Sequence, residues 1–173
     1  MTTVFGDIKT GIDILRQFLV PRTFTLRLID FAQQEGILSL MKEMKSFTKE
    51  EFCDRAAVRL KYKTGDRARK RMLFILLDFL EECGYISPVR PTGGQDLMHN
   101  FIYISDVKPL PALSPSEKKT LKEGFTSEVE FFGRCIDYAG EFLRGSDYLY
   151  NFTQGMEDIW DRFLGNYEFS IAR

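Results

Sequence analysis

Apolar residues recur at helical spacing over most of this chain. Ile8, Ile12, Leu15 and Leu19 follow one another at steps of 4, 3 and 4, which puts them on one face of a helix over about Asp7–Leu19. Pro21 has no amide to donate and is expected to end that helix. A second helix is predicted over Thr23–Glu35, with Leu28, Ile29 and Ala32 inward and Gly36 as its stop. Thr48-Lys49-Glu50-Glu51 has the form of a capping box, and Phe47 and Phe52 flank it as a hydrophobic staple. The helix it starts is expected over Lys49–Leu60. After a connector at Lys61–Asp66, Leu73, Leu76, Leu77 and Leu80 form the buried stripe of a helix over Arg67–Cys83, ended by Gly84.

The pattern then changes. Tyr85 to Val89 and Met98 to Ile104 are short extended runs around Thr92-Gly93-Gly94-Gln95-Asp96, the signature of a β-hairpin. Three helices followed by a hairpin, with an extra helix in front, is the element order of a winged helix. Helical pattern resumes at Ser114-Pro115-Ser116-Glu117, which combines a cap, a proline at the first helical position and a glutamate at the third. Val129, Phe132, Ile136, Ala139 and Leu143 then form a seam expected to pack within the chain or between chains, closed by Gly145. A last helix is predicted from near Thr153 to Ile171, with Ile159, Phe163 and Tyr167 on its apolar face. The expected fold is therefore mainly α. Residues 1–108 hold the extra helix, the three-helix core and the β-hairpin wing, and residues 109–173 a helical extension.

Composition narrows the chemistry. The chain has 173 residues, 44% hydrophobic and 28% charged, which are ordinary globular values and argue against disorder. No apolar run approaches a membrane span, and Asp7 and Lys9 interrupt the N-terminal residues where a signal peptide would need an apolar core. A cytoplasmic protein is expected, without a membrane partner. Three cysteines (Cys53, Cys83 and Cys135) and one histidine (His99) make neither a zinc ligand set nor a disulfide framework, and Cys53 and Cys135 read as buried free thiols. No GxSxG elbow accompanies His99, so no catalytic or metal residue is assigned.

Net charge is −1, but it is unevenly placed. Lys42 to Arg71 holds 11 basic against 5 acidic residues, and Glu123 to Glu168 holds 3 against 10. The basic block raises a DNA-binding reading, since Lys61, Lys63, Arg67, Arg69, Lys70 and Arg71 crowd the start of the helix that would enter a major groove. Beyond its first turn, however, that helix offers Phe74, Ile75, Asp78, Glu81 and Glu82, and carboxylates repel phosphates. The hairpin adds only Arg90 and His99. A winged-helix transcriptional regulator is kept as the alternative, with nucleic acid not expected as the partner. Phe74 and Ile75, outside the Leu stripe, point instead to a protein surface.

Three segments carry a resemblance. Leu28-Ile29-Asp30-Phe31-Ala32-Gln33-Gln34-Glu35-Gly36-Ile37-Leu38, Phe47-Thr48-Lys49-Glu50-Glu51-Phe52 and Leu77-Asp78-Phe79-Leu80-Glu81-Glu82-Cys83-Gly84-Tyr85-Ile86, with a wing closing in Phe101-Ile102-Tyr103-Ile104-Ser105, resemble the N-terminal region of small-molecule O-methyltransferases. The resemblance covers about Asp7 to Ser105. It implies a dimerisation and substrate-lid domain that is inactive alone and holds no cofactor, with S-adenosylmethionine bound by a separate catalytic domain whose Gly-rich loop has no match here. It also implies that the chain stops just before such a domain. Tyr148, Tyr150, Phe152, Met156, Trp160 and Phe163 become candidates to roof a pocket for a small aromatic or apolar methyl acceptor.

The first stripe supports the same picture. Ile8, Ile12, Leu15 and Leu19 in water would forgo about 1.5–3 kcal/mol per side chain. A homodimer through residues 5–35, helped by the helix over 67–83, is expected to bury above about 2,000 Å². The alternative is cover from within the chain by the helix from Val129 to Leu143.

Overall fold

The computed structural model describes residues 19–89, 100–146 and 156–164. The described elements are mainly helical, with one small three-stranded antiparallel sheet. They fall into two compact units that do not follow chain order: Met1–Leu28, Leu110–Tyr138 and Leu149–Arg173 in the first, Ile29–Pro109 and Ala139–Tyr148 in the second.

The first helix, α1, covers described residues 19–34 and contributes to both units. Pro21 lies inside it, contrary to expectation. A proline removes only its own N–H from the ladder, and the turn around it is supported by Thr23 Oγ1, which donates to the Leu19 carbonyl at 2.9 Å. The expected helix over Asp7–Leu19 lies outside the described residues except for Leu19.

In the second unit Gly36 does not lead into a loop. It takes φ 77° and starts α2 (Ile37–Met44), whose Ile37, Leu40 and Met41 are buried at i, i+3 and i+4. Lys45 follows at φ 63°, and Ser46–Phe47 form β1. Neither α2 nor β1 is anticipated from the pattern, because an eight-residue helix and a two-residue strand are too short for periodicity to register. Thr48 then caps α3 (Lys49–Arg59): its Oγ1 accepts from the Glu51 N–H at 3.1 Å, while its own N–H donates to Glu51 Oε2 at 2.7 Å. Phe47 and Phe52 are buried with ring centroids 5.4 Å apart, the expected staple. Asp66 caps α4 (Arg67–Glu82), which buries Leu73, Leu76, Leu77 and Leu80 as expected. The helix ends at Gly84, φ 81°.

β2 (Ile86–Val89) and β3 (Asn100–Tyr103) pair antiparallel, Ile86 opposite Tyr103 and Val89 opposite Asn100. β3 also pairs with β1, Phe47 opposite Phe101, so the sheet order is β1-β3-β2. The expected hairpin strands are present, and the Gly93-Gly94 turn lies outside the described residues. α2 packs on α3 and α3 on α4, while Phe31 and Ala32 of α1 are also buried.

In the first unit Leu19 and Val20 are buried with Leu121 and Phe125 of α5 (Pro115–Gly124), and Phe24, Leu113 and Val129 pack around them. For Leu19, then, cover comes from within the chain. Ile8, Ile12 and Leu15 lie outside the described residues. Ser114 and Glu117 form the second expected capping box. That bonding holds the Glu117 carboxyl below its ordinary value, through the Ser114 backbone N–H first, and Arg22 pairs with the same group at 2.7 Å.

α6 (Thr126–Arg144) also contributes to both units and ends at Gly145. Its seam departs from expectation at one place. Phe131 is buried at 4%, whereas Phe132 is 40% exposed and meets Phe24 edge-on, centroids 4.9 Å apart. Nearby, a Cβ at Gly133 would fall 2.0 Å from Arg27 Nη1, so the Arg27 side chain passes close over α6 there and reaches Asp137 at 3.1 Å. α7 is described over Met156–Leu164, and an earlier start near Thr153 or a later end lies outside the described residues.

Thr48 is only 7% exposed, and its hydroxyl closes one of four open amides at the α3 start. Thr48→Ala is expected to cost about 1 kcal/mol and Thr48→Ser less than half of that, read from urea denaturation midpoints.

Candidate functional site

The basic cluster at the α4 start divides into groups with different duties. Arg69 is turned inward, its side chain 13% exposed. Its Nε donates to the Phe142 carbonyl at 2.7 Å and its Nη2 to the Ser146 carbonyl at 2.8 Å, and its guanidinium stacks 4.8 Å from the Phe142 ring centroid. The last carbonyls of a helix have no partner within it, and Arg69 supplies donors to the end of α6. The Lys63 N–H adds a third, to Leu143 at 2.7 Å. Lys70 lies over the Phe74 ring at 5.5 Å. Lys61, Lys63, Arg67 and Arg71 are exposed. Of the six cations that suggested phosphate binding, one is committed to α6 and one rests on an aromatic ring.

The solvent face of α4 consists of Arg67, Arg71, Ile75, Asp78 and Glu82, with Ala68 at its start. Ile75 is 58% exposed. Asp78 pairs with Lys49, whose ammonium also sits 5.6 Å from the Phe74 centroid and 5.9 Å from that of Phe101. Phe74 therefore has cations over it from two elements and is half-buried, while Ile75 stands clear. Arg90 and His99 lie outside the described residues.

A second polar cluster in the same unit has no counterpart in the sequence reading. Glu35, at the end of α1, accepts from the Tyr62 hydroxyl at 2.8 Å and from Arg144 at 2.5 and 3.3 Å. Tyr62 is 2% exposed, and burial first, then its bond to the Glu35 carboxylate, pushes its pKa far above the ordinary 10.0. A tyrosine held this way is an anchor rather than a base. Arg144 is raised as well, chiefly by its hydrogen bond to Glu35. Gly140 makes the approach feasible, since a Cβ there would lie 2.5 Å from Glu35 Oε1. Two signals could have exposed the cluster: an aromatic residue between two lysines at Lys61-Tyr62-Lys63, and Gly133 and Gly140 two turns apart on one helix.

Of the roof candidates, Met156, Trp160 and Phe163 fall within α7, at spacings of 4 and 3 residues. Tyr148, Tyr150 and Phe152 lie outside the described residues. Two open clefts occur elsewhere. One, of about 480 Å³, is lined by Met44, Ser46, Glu51, Asp54, Arg55 and Val58. The other, of about 280 Å³, carries Arg27, Glu130, Arg134, Asp137 and Arg162. In the second, Arg27 pairs with Asp137 and Arg162 with Glu130, so both carboxylates already hold cations.

Cys53 is a buried free thiol, as expected, and burial pushes its pKa from 9.0 up to about 11. Cys135 is only half-buried. Among the described residues no group of three or more His, Cys, Asp or Glu could hold a metal ion. None of their helices is long and apolar enough to cross a membrane. Compared with models of known protein families and with curated proteins, the chain has no match.

Two outcomes follow from these contacts. Arg69→Ala strips donors from the Phe142 carbonyl of α6 and the Ser146 carbonyl just past it and is expected to destabilise by about 1–3 kcal/mol. Amide exchange should speed up in residues 140–146, whereas exposed Arg67→Ala should stay within about 0.5 kcal/mol of the parent. Stability should also fall in alkali. The folded state holds the Cys53 and Tyr62 protons more tightly than the unfolded state does, so both contribute fully below pH 9. The Cys53 part is lost as pH rises from 9.0 to about 11, and the Tyr62 part as it rises past 10.0. Urea midpoints measured across pH 8–11 should decline, with a shallower slope above pH 10 in Tyr62→Phe.

Proposed function

We propose that this chain is a winged-helix dimerisation and substrate-lid domain of an S-adenosylmethionine-dependent O-methyltransferase, not catalytic by itself and cytoplasmic. The arrangement α2-β1-α3-α4-β2-β3 with sheet order β1-β3-β2 supports the winged-helix part. The observation that carries the reading is the solvent face of α4. In a DNA-binding winged helix that face meets base edges and phosphates. Here its middle and end are Ile75, Asp78 and Glu82, and Arg69 is withdrawn into the chain. Such a helix is suited to protein contact. The homodimer would use residues 5–35 with help from α4. Met156, Trp160 and Phe163 remain the proposed lid residues, with Tyr148, Tyr150 and Phe152 beside them in sequence. The ligand in the intact enzyme would be a flat aromatic or apolar acceptor, and S-adenosylmethionine would belong to the catalytic domain.

The second reading, a DNA-binding regulator, is favoured by one feature: Lys61, Lys63, Arg67 and Arg71 are all exposed near the α4 start. The two are separable. Sedimentation equilibrium at micromolar to hundreds of micromolar chain should give a dimer, and calorimetry with S-adenosylmethionine should give no heat of binding. Micromolar cofactor affinity would overturn the lid assignment. Fluorescence anisotropy with duplex DNA at low salt is expected to stay flat to tens of micromolar protein. A rise that salt abolishes would favour the regulator.

A further inference from the structure

The exposed positions of α4 form a single stripe. Arg67, Arg71, Ile75, Asp78 and Glu82 are spaced 4, 4, 3 and 4 residues apart, which keeps them on one side of the helix over its whole length. Read from the N-terminal end, the stripe is positive, positive, apolar, negative, negative. Arg67, Arg71 and Glu82 make no ion pair or hydrogen bond with any described residue, and Asp78 shares its carboxylate with Lys49 alone. A stripe ordered this way is complementary to itself when reversed.

We propose that this face of α4 docks on the same face of a second copy, the two helices antiparallel about a two-fold axis beside Ile75. Position 67 is as far from the midpoint as 82 is on the other side, and 71 as far as 78. Antiparallel pairing therefore sets Arg67 against the partner's Glu82 and Arg71 against the partner's Asp78, four complementary pairs in all, with the two Ile75 side chains meeting at the centre. A two-fold contact requires this kind of self-complementarity. Parallel pairing would oppose like charges along the entire helix. The same pattern disfavours DNA and an anionic membrane, because two of its four charges are acidic.

The contact is small. Sixteen residues give about 24 Å of helix, so α4 supplies one part of the dimer contact beside residues 5–35, and its charge pairs make that part dependent on salt. It rests on the dimer reading above and gives that dimer a definite face and register.

Ile75→Cys tests the register directly. Under mild oxidation it should form a cross-linked dimer on a non-reducing gel, well above the background from the parent chain. Val58→Cys, at a position 75% exposed on α3, should not. Arg67→Glu with Arg71→Glu breaks no ion pair or hydrogen bond among the described residues, and circular dichroism should show the parent's helix content. It should weaken the sedimentation dimer at least tenfold, and mixing it with Asp78→Lys/Glu82→Lys should restore association as a heterodimer. A dimer that ignores both charge reversals and gives no cross-link at position 75 would overturn the α4 interface while leaving the dimer reading intact. A monomer at hundreds of micromolar would overturn both.

Discussion

The Glu35 carboxylate is the point on which three separate stretches of the second unit converge. It ends α1, accepts the Tyr62 hydroxyl from the connector before α4, and holds Arg144 at the end of α6. Its side chain is 19% exposed, so a charge in that position needs partners close at hand. Removing any one of the three would leave a half-buried charge or hydroxyl without its bonds, which is costlier than the bond itself. Gly140 belongs to the same constraint, because any Cβ there would displace the carboxylate. Arg69 and the Lys63 amide then close the Phe142 and Leu143 carbonyls of α6 and the Ser146 carbonyl that follows it.

This arrangement determines what α4 has left to offer. The helix buries Leu73, Leu76, Leu77 and Leu80, gives Arg69 to α6, and shields Phe74 beneath Lys49 and Lys70. What faces water is a narrow stripe of two arginines, one isoleucine and two carboxylates. A cation count from the sequence overstates the positive potential available, since a guanidinium bonded to carbonyls and stacked on a ring cannot also meet a phosphate.

The first unit shows the same economy with different groups. Arg27 crosses α6 at Gly133 to reach Asp137, and Arg22 bonds the Pro111 and Ala112 carbonyls as well as Glu117. Among the described residues, Arg22, Arg27, Arg59, Arg69, Arg144 and Arg162 act as ties for backbone or carboxylate groups. Arg162 reaches Glu130 in the same way, although Glu130 Oε2, at 2.9 Å, lies out of line for a hydrogen bond.

Local signals in the sequence decided the starts of α3 and α5 and the Leu stripe of α4. Capping boxes and a four-leucine face depend on residues within one or two turns, and no distant contact overrides them. The hairpin strands were legible for a similar reason. Pro21 misled, because a proline's effect depends on whether the chain can continue around it, and here it does. α2 and β1 were invisible: β1 exists through its pairing with β3, more than fifty residues away, and α2 through burial against α3. The site was less legible than the fold. Which of six neighbouring cations turns inward, why α6 presents Phe131 rather than Phe132 to the core, and which carboxylate gathers Tyr62 and Arg144 are all questions of long-range geometry. Charge and side-chain length are written in the sequence, but the partner that uses them is chosen only when distant backbone carbonyls and carboxylates arrive within about 3 Å.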